Sequence, residues 1–207
     1  MAEVARLAPA GRGIGLPGCE SKTEKAVRLK TPRLAPLEAE RIDPEIRERF
    51  GGRPMDNIFR TLAHHPKLFK RWLVFGNHIL VKSSFPARER ELAILRIGWL
   101  CRAEYEWGQH VLIGKQAGLL DEEIARIPSG PDADGWSDRD RVILSAVDEL
   151  HADAFIGEPT WQALAAHFET DQLLDLIFTV GQYNLVSMVL NTLGVQLDER
   201  LPGFPES

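Results

Sequence analysis

The chain has 207 residues, 44% of them apolar, with 30 acidic and 25 basic side chains and a formal net charge of -5. This length and apolar share suffice for one full-sized core, and the cationic residues are scattered among acidic ones, which leaves no basic stripe to track a phosphate backbone and excludes nucleic acid as the expected partner. Two cysteines, Cys19 and Cys101, supply no disulfide framework, so a reducing, cytoplasmic setting is expected.

Residues 1–35 mix Gly, Pro and charges without periodicity and are expected to form a flexible or extended arm. The opening stretch lacks the apolar run of a secretion signal. A helical domain is expected over 36–200, with a short tail over 201–207. Within the domain, Asp43-Pro44 reads as an N-cap and first-turn pair opening a charged helix through Phe50, which Gly51 and Gly52 stop. Asn57 is expected to cap a second short helix ending near His64.

From Pro66 the apolar positions Phe69, Trp72, Leu73, Phe75, Ile79 and Leu80 recur at helical spacing. Ser84 to Pro86 breaks that helix, and a new one begins at Ala87 whose second half is apolar all round, predicting an interior position. A break near Arg102 leads into a helix over 104–117, with Gly118 as its stop. Asp121 is expected to cap a helix over 122–127, and Ser137 another after the turn-rich PSGPDADGW loop. Pro159 opens a helix to about His167, and a long apolar helix is predicted from about Asp171 to Leu197. No segment alternates with the period of a strand. The fold class predicted is all-α.

The segment from Leu173 to Val195 is long and apolar enough to invite a membrane reading. Gln182, Asn184, Ser187 and Asn191 would each need a partner in hydrocarbon, and no cationic or aromatic belt flanks it. A central helix buried by other helices is expected, with no membrane partner.

The densest set of ionisable groups within an apolar region is Glu91 together with Glu104-Tyr105-Glu106-Trp107-Gly108-Gln109-His110. Glu106 and His110 stand four residues apart and share one helix face. A carboxylate beside an imidazole stabilises its charged form and orients it, which suits proton transfer; the alternative is an exposed helical ion pair. Glu91 begins the helix just before, so a hairpin would bring a second carboxylate to the same pocket. Two carboxylates and a histidine also make a facial-triad ligand set, but the cluster holds no second histidine and neither metal nor cofactor is expected. His64, His65, His151 and His167 read as helix-end cations, His78 as a hydrogen-bonded core or interface residue, and Cys101 as a small packed hydrophobe. Gln182, Asn184 and Asn191 should each find a hydrogen-bond partner.

The stretch RELAILRIGWLCRAEYEWGQHVLIGKQAGLLDEEI, from Arg90 to Ile124, resembles the core signature of the carboxymuconolactone decarboxylase and alkylhydroperoxidase D-like superfamily, and the similarity extends from Arg33 to Val195. The resemblance implies an AhpD-like helical bundle assembled as a homodimer, trimer or hexamer. In the peroxidase branch a glutamate, a CxxC pair and a histidine form the motif. With His110 on the family histidine, Glu91 falls on the glutamate, while Ala103 and Glu106 stand where the cysteines would be. A dithiol cycle needs both thiols, so the resemblance implies instead acid/base chemistry by Glu91, Glu106 and His110 on a small carboxylate or lactone. Tyr105 and Asn184 are candidate substrate-binding residues. Two alternatives remain: a peroxidase-like activity using Cys101 with an external thiol, and a non-catalytic small-molecule-binding homo-oligomer.

Overall fold

The computed structural model describes residues 28–205. Most of the expected 1–35 arm, with Cys19, lies outside the described residues. The helices are α1 (Pro44–Arg49), α2 (Asn57–Leu62), α3 (Pro66–Asn77), α4 (Ala87–Leu100), α5 (Glu104–Gln116), α6 (Asp121–Arg126), α7 (Asp138–Asp153), α8 (Glu158–Ala165) and α9 (Thr170–Leu193). No strand occurs among the described residues, and the all-α expectation holds.

Nine consecutive residues of α4, from Arg90 to Gly98, are buried. A helix buried on every side must be surrounded, and α4 is: α5, α7 and α9 all pack against it. Its Leu92, Ile94, Leu95 and Ile97 are fully enclosed, each contributing ~1.5–3 kcal/mol of burial free energy. A smaller aromatic cluster joins α1 to α3, with Phe50, Phe59, Phe69 and Trp72 at centroid separations of 4.9 to 6.4 Å.

Local capping explains most boundaries. Asp43 accepts from the Glu45 N–H and Ser137 from the Asp140 N–H, as their positions predict. The second helix is capped differently. Asn57 is its first helical residue, and the carboxylate that accepts from the Asn57 N–H belongs to Asp198, distant in sequence. The helix after Leu119 starts at Asp121 itself, with Glu123 reaching back to the Leu120 N–H.

Three further features depart from the expectations. The end of α3 widens into a π-helical turn over His78–Lys82, a local insertion that commonly borders functional sites. α9 stops at Leu193, not Leu197, because Gly194 adopts the left-handed conformation at φ +67°, open to glycine without penalty. His65 is an N-cap, its Nδ1 accepting from the Leu68 N–H, not a helix-end cation.

α9 is long and apolar enough to cross a membrane, yet half of its most apolar window is buried within the bundle. Its one charge past the first turn, Asp175, accepts from His78 Nε2, Ser83 Oγ and both the N–H and Oγ of Ser84. Burial alone would raise its pKa, but these donors hold it at about 2. The opposite face exposes Leu174, Phe178, Gly181, Leu185 and Met188, a four-three spacing typical of a helix seam.

The two ends of the described segment fold back on the core. The Arg33 N–H donates to Leu193 O, and Phe204 packs on Trp99 and Trp107 at 5.1 and 5.7 Å. Gly108 lies beneath this last segment: a Cβ there would stand 2.5 Å from the Pro202 carbonyl oxygen and 3.1 Å from the Leu201 Cβ. Helix propensity alone predicts that Gly108→Ala stabilises by about 1 kcal/mol. The steric conflict reverses the sign, so the substitution should cost ~1–3 kcal/mol and lower the melting temperature by roughly 2–10 °C, as calorimetry would show.

Candidate active site

α4 and α5 form a tight hairpin. Only Cys101, Arg102 and Ala103 separate them, and Arg102 takes a positive φ of 52° to make the turn, a conformation that costs a non-glycine residue free energy. The reversal sets Glu91, near the start of α4, against His110 in the middle of α5.

His110 Nδ1 lies 2.5 Å from Glu91 Oε2, and Nε2 lies 3.0 Å from Glu106 Oε1. Both ring nitrogens thus face carboxylates. Glu91 is wholly enclosed, and Glu106 and His110 are 4% and 3% exposed, so these are buried ion pairs and not the solvated pair that the four-residue spacing also allowed. Buried charges persist only when paired. Arg90 completes the set, its Nε donating to Glu91 Oε1 at 3.3 Å. Arg90, Glu91, His110 and Glu106 alternate in sign and sum to zero.

Burial by itself would lower the His110 pKa. The charge of Glu91 and the hydrogen bonds to Glu106 and Glu91 more than reverse this and raise it to about 9. The two carboxylates favour the imidazolium over the neutral ring. Tyr183 of α9 presses its ring edgewise on His110, with centroids 4.7 Å apart and an interplanar angle of 82°.

A cavity of about 230 Å³ opens beside this cluster. Glu106, His110, Tyr105, Gln182 and Tyr183 border it, with Phe59, Trp72 and Leu80 among its apolar walls. Glu91 does not border it and sits behind His110. The cavity therefore meets one end of a short hydrogen-bonded chain whose other end is sealed in the core.

The remaining candidates sit as follows. Tyr105 reaches the cavity, but its hydroxyl is engaged: it donates to Asp198 Oδ2 at 2.5 Å and accepts from the Ile58 N–H. Burial, then the bond to Asp198, pushes its pKa upward. Asn184 does not line the cavity; its Oδ1 accepts from Cys101 Sγ at 3.1 Å. Cys101 also lies off the cavity lining, and burial raises its pKa, the reverse of an activated thiol. Asn191 donates to Cys101 O. Gln182 is the exception to the expectation that each polar residue of the long helix finds a partner: among the described residues its amide has none, and neither does the Tyr183 hydroxyl. Sequence reasoning missed Arg90 and Tyr183 altogether. A polar Gln-Tyr pair in an apolar helix was the one available signal for the latter.

No group of three or more His, Cys, Asp or Glu among the described residues is arranged to hold a metal ion. The physical reason at this cluster is that each imidazole nitrogen already faces a carboxylate.

Residues 66–149 match the model of the carboxymuconolactone decarboxylase family. The match spans α3 to the greater part of α7. Among solved structures, an uncharacterized peroxidase-related protein from Ralstonia eutropha JMP134, described as an alkylhydroperoxidase AhpD core, aligns at TM-score 0.72 and 20% identity, over 81% of this chain and 93% of its own. A peroxidase-related protein from Silicibacter sp. TM1040 aligns at TM-score 0.66 and 18% identity, over 88% and 96%. The debrominase Bmp8 in complex with 2,3,4-tribromopyrrole aligns at TM-score 0.66 and 15% identity, over 83% and 94%. These likenesses establish the AhpD-like fold. No curated protein matches the chain.

Because the folded-state pKa of His110 lies above the ordinary value of ~6.5, its ion pairs contribute stability that is complete below that value and is lost as pH rises through about 9. The wild-type melting temperature should therefore fall across this window, and His110→Gln should flatten the fall. NMR titration of the His110 ring should give a midpoint well above neutrality; one below pH 7 overturns the imidazolium assignment.

Proposed function

We propose that this carboxymuconolactone decarboxylase-family protein is an acid/base enzyme that moves a proton onto or off carbon in a small carboxylate or lactone. The reading is carried by one observation: two buried carboxylates bracket a single imidazole, and only the outer carboxylate and the imidazole border a cavity. Glu106 is the group placed to touch substrate. Ionised, it accepts a proton from a carbon beside a carbonyl; that C–H bond breaks, an O–H bond forms on Glu106, and the electron pair moves to the carbonyl oxygen. In a decarboxylation the direction reverses, and the proton passes from Glu106 or His110 to the carbon that has lost carbon dioxide.

His110 orients Glu106 through its Nε2, and Glu91 favours the charged form of His110 in a dry interior. The Cys101 route gains no support from the geometry, since the thiol is off the cavity and bonded to Asn184. A panel of small lactones and carboxylates, followed by NMR for turnover and for deuterium incorporation at carbon, tests the reading. Glu106→Gln should lower the rate by about 10²–10⁴-fold, while Cys101→Ser leaves it intact. The opposite pattern, with activity lost at Cys101 and kept at Glu106, would sink the acid/base reading.

The protein is further proposed to act as a homo-oligomer, joined through the exposed seam of α9. Residues 174 and 188 lie seven positions either side of Gly181, and 178 and 185 lie three before and four after it; an added Cβ at Gly181 meets nothing within 4 Å. A second copy running antiparallel would set Leu174 opposite Met188 and Phe178 opposite Leu185, with close approach at the glycine. Leu185→Glu should reduce the mass measured by sedimentation; an unchanged mass rejects this seam.

A further inference from the structure

The cavity that serves the proposed proton transfer also carries information about what fills it. We infer that the site takes an uncharged, single-ring-sized molecule bearing a carbonyl or hydroxyl group, with Gln182 and Tyr183 as its binding residues. This narrows the acid/base reading to its neutral, lactone-like substrates and sets the carboxylates aside; it rests on that reading for the reaction, though not for the binding.

Size comes first. At about 230 Å³ the cavity exceeds the ~150 Å³ that accommodates benzene in a protein core, which leaves room for one substituted ring. Its walls come largely from Ile58, Phe59, Trp72, Leu80, Ile113 and Val186. Such walls reward an apolar body.

Charge comes second. Among the described residues no lysine or arginine borders the cavity. The positive charge of His110 is already spent on Glu91 and Glu106. At the rim, Asp56 is balanced by Arg200 at 2.6 Å. A carboxylate entering this space would find no free cation and would face the carboxylate of Glu106, so it would lose its hydration without compensation. A neutral carbonyl or hydroxyl loses far less.

The third observation is the pair of polar groups without partners. Gln182 and Tyr183 are 6% and 5% exposed, both border the cavity, and among the described residues neither side chain makes a hydrogen bond. Buried polar groups are nearly always satisfied. Here the Gln182 amide and the Tyr183 hydroxyl are donors available to the oxygens of a bound molecule, and the Gln182 carbonyl and Glu106 are acceptors available to a hydroxyl.

Acetophenone and benzoate test the inference directly, because they share ring and size and differ in charge. Calorimetry on the full-length wild-type protein at pH 7 should find acetophenone at least ~10-fold tighter. Gln182→Met and Tyr183→Phe, both close in shape to the native residues, should each weaken acetophenone roughly threefold or more. Benzoate binding as tightly as acetophenone, no binding of either, or both variants binding like wild type would overturn the inference. The wild-type comparison stands even if a variant misfolds. Exchange of the acetophenone methyl protons in D₂O, read by NMR on the same complex, reports separately on the acid/base reading: tight acetophenone binding with no exchange would fail the chemistry and leave the ligand class standing.

Discussion

The interaction on which the rest depends is the buried bracket of Glu91, His110 and Glu106. Ion pairs inside a protein are costly to desolvate, and each member survives only because its neighbours carry the opposite sign. Removing any one would strand a charge in the core. The cluster is compatible with the enclosure of α4, the short connection through Arg102 brings its two helices together, and Arg90 turns inward to bond Glu91. The hairpin is the device that converts two sequence-distant carboxylates into one electrostatic unit.

The long helix α9 does two jobs that its composition alone does not separate. Its buried face closes the cavity with Gln182, Tyr183 and Val186 and presses Tyr183 against the imidazole. Its outer face presents an apolar seam. Asp175 joins the two roles: it pins the turn over His78–Lys82, and Leu80 and Val81 of that turn form part of the cavity wall. The chain beyond Gly194 is equally consequential. Asp198 caps α2 and accepts from Tyr105, while Leu201 and Pro202 cover Gly108. The proposed chemistry is thereby held by segments that carry none of the reacting groups.

Much of this was legible in the residues. Periodic apolar positions located the helices, and the four-residue spacing of Glu106 and His110 placed them on one face. Where the reading failed, a competing local or distant interaction had prevailed. The long helix ended early because Gly194 offered a left-handed cap, and α2 took its cap from Asp198, more than a hundred residues away. Gln182 was expected to find a partner like Asn184 and Asn191. Among the described residues it has none; it borders a cavity that no periodicity could announce.

By itself, then, the sequence determined which segments are helical, which face of each is apolar, and that three ionisable side chains lie near one hairpin, since these follow from spacing along a chain of fixed pitch. Only the tertiary structure decided that His110 meets carboxylates through both nitrogens, that Tyr105 and Asn184 have bonding partners elsewhere, and that Gln182 and Tyr183 border the cavity with no hydrogen-bond partner among the described residues. Those outcomes depend on how helices far apart in sequence approach in space. Burial and the absence of competing water, which fix the strength of every one of these contacts, exist only once the helices have packed.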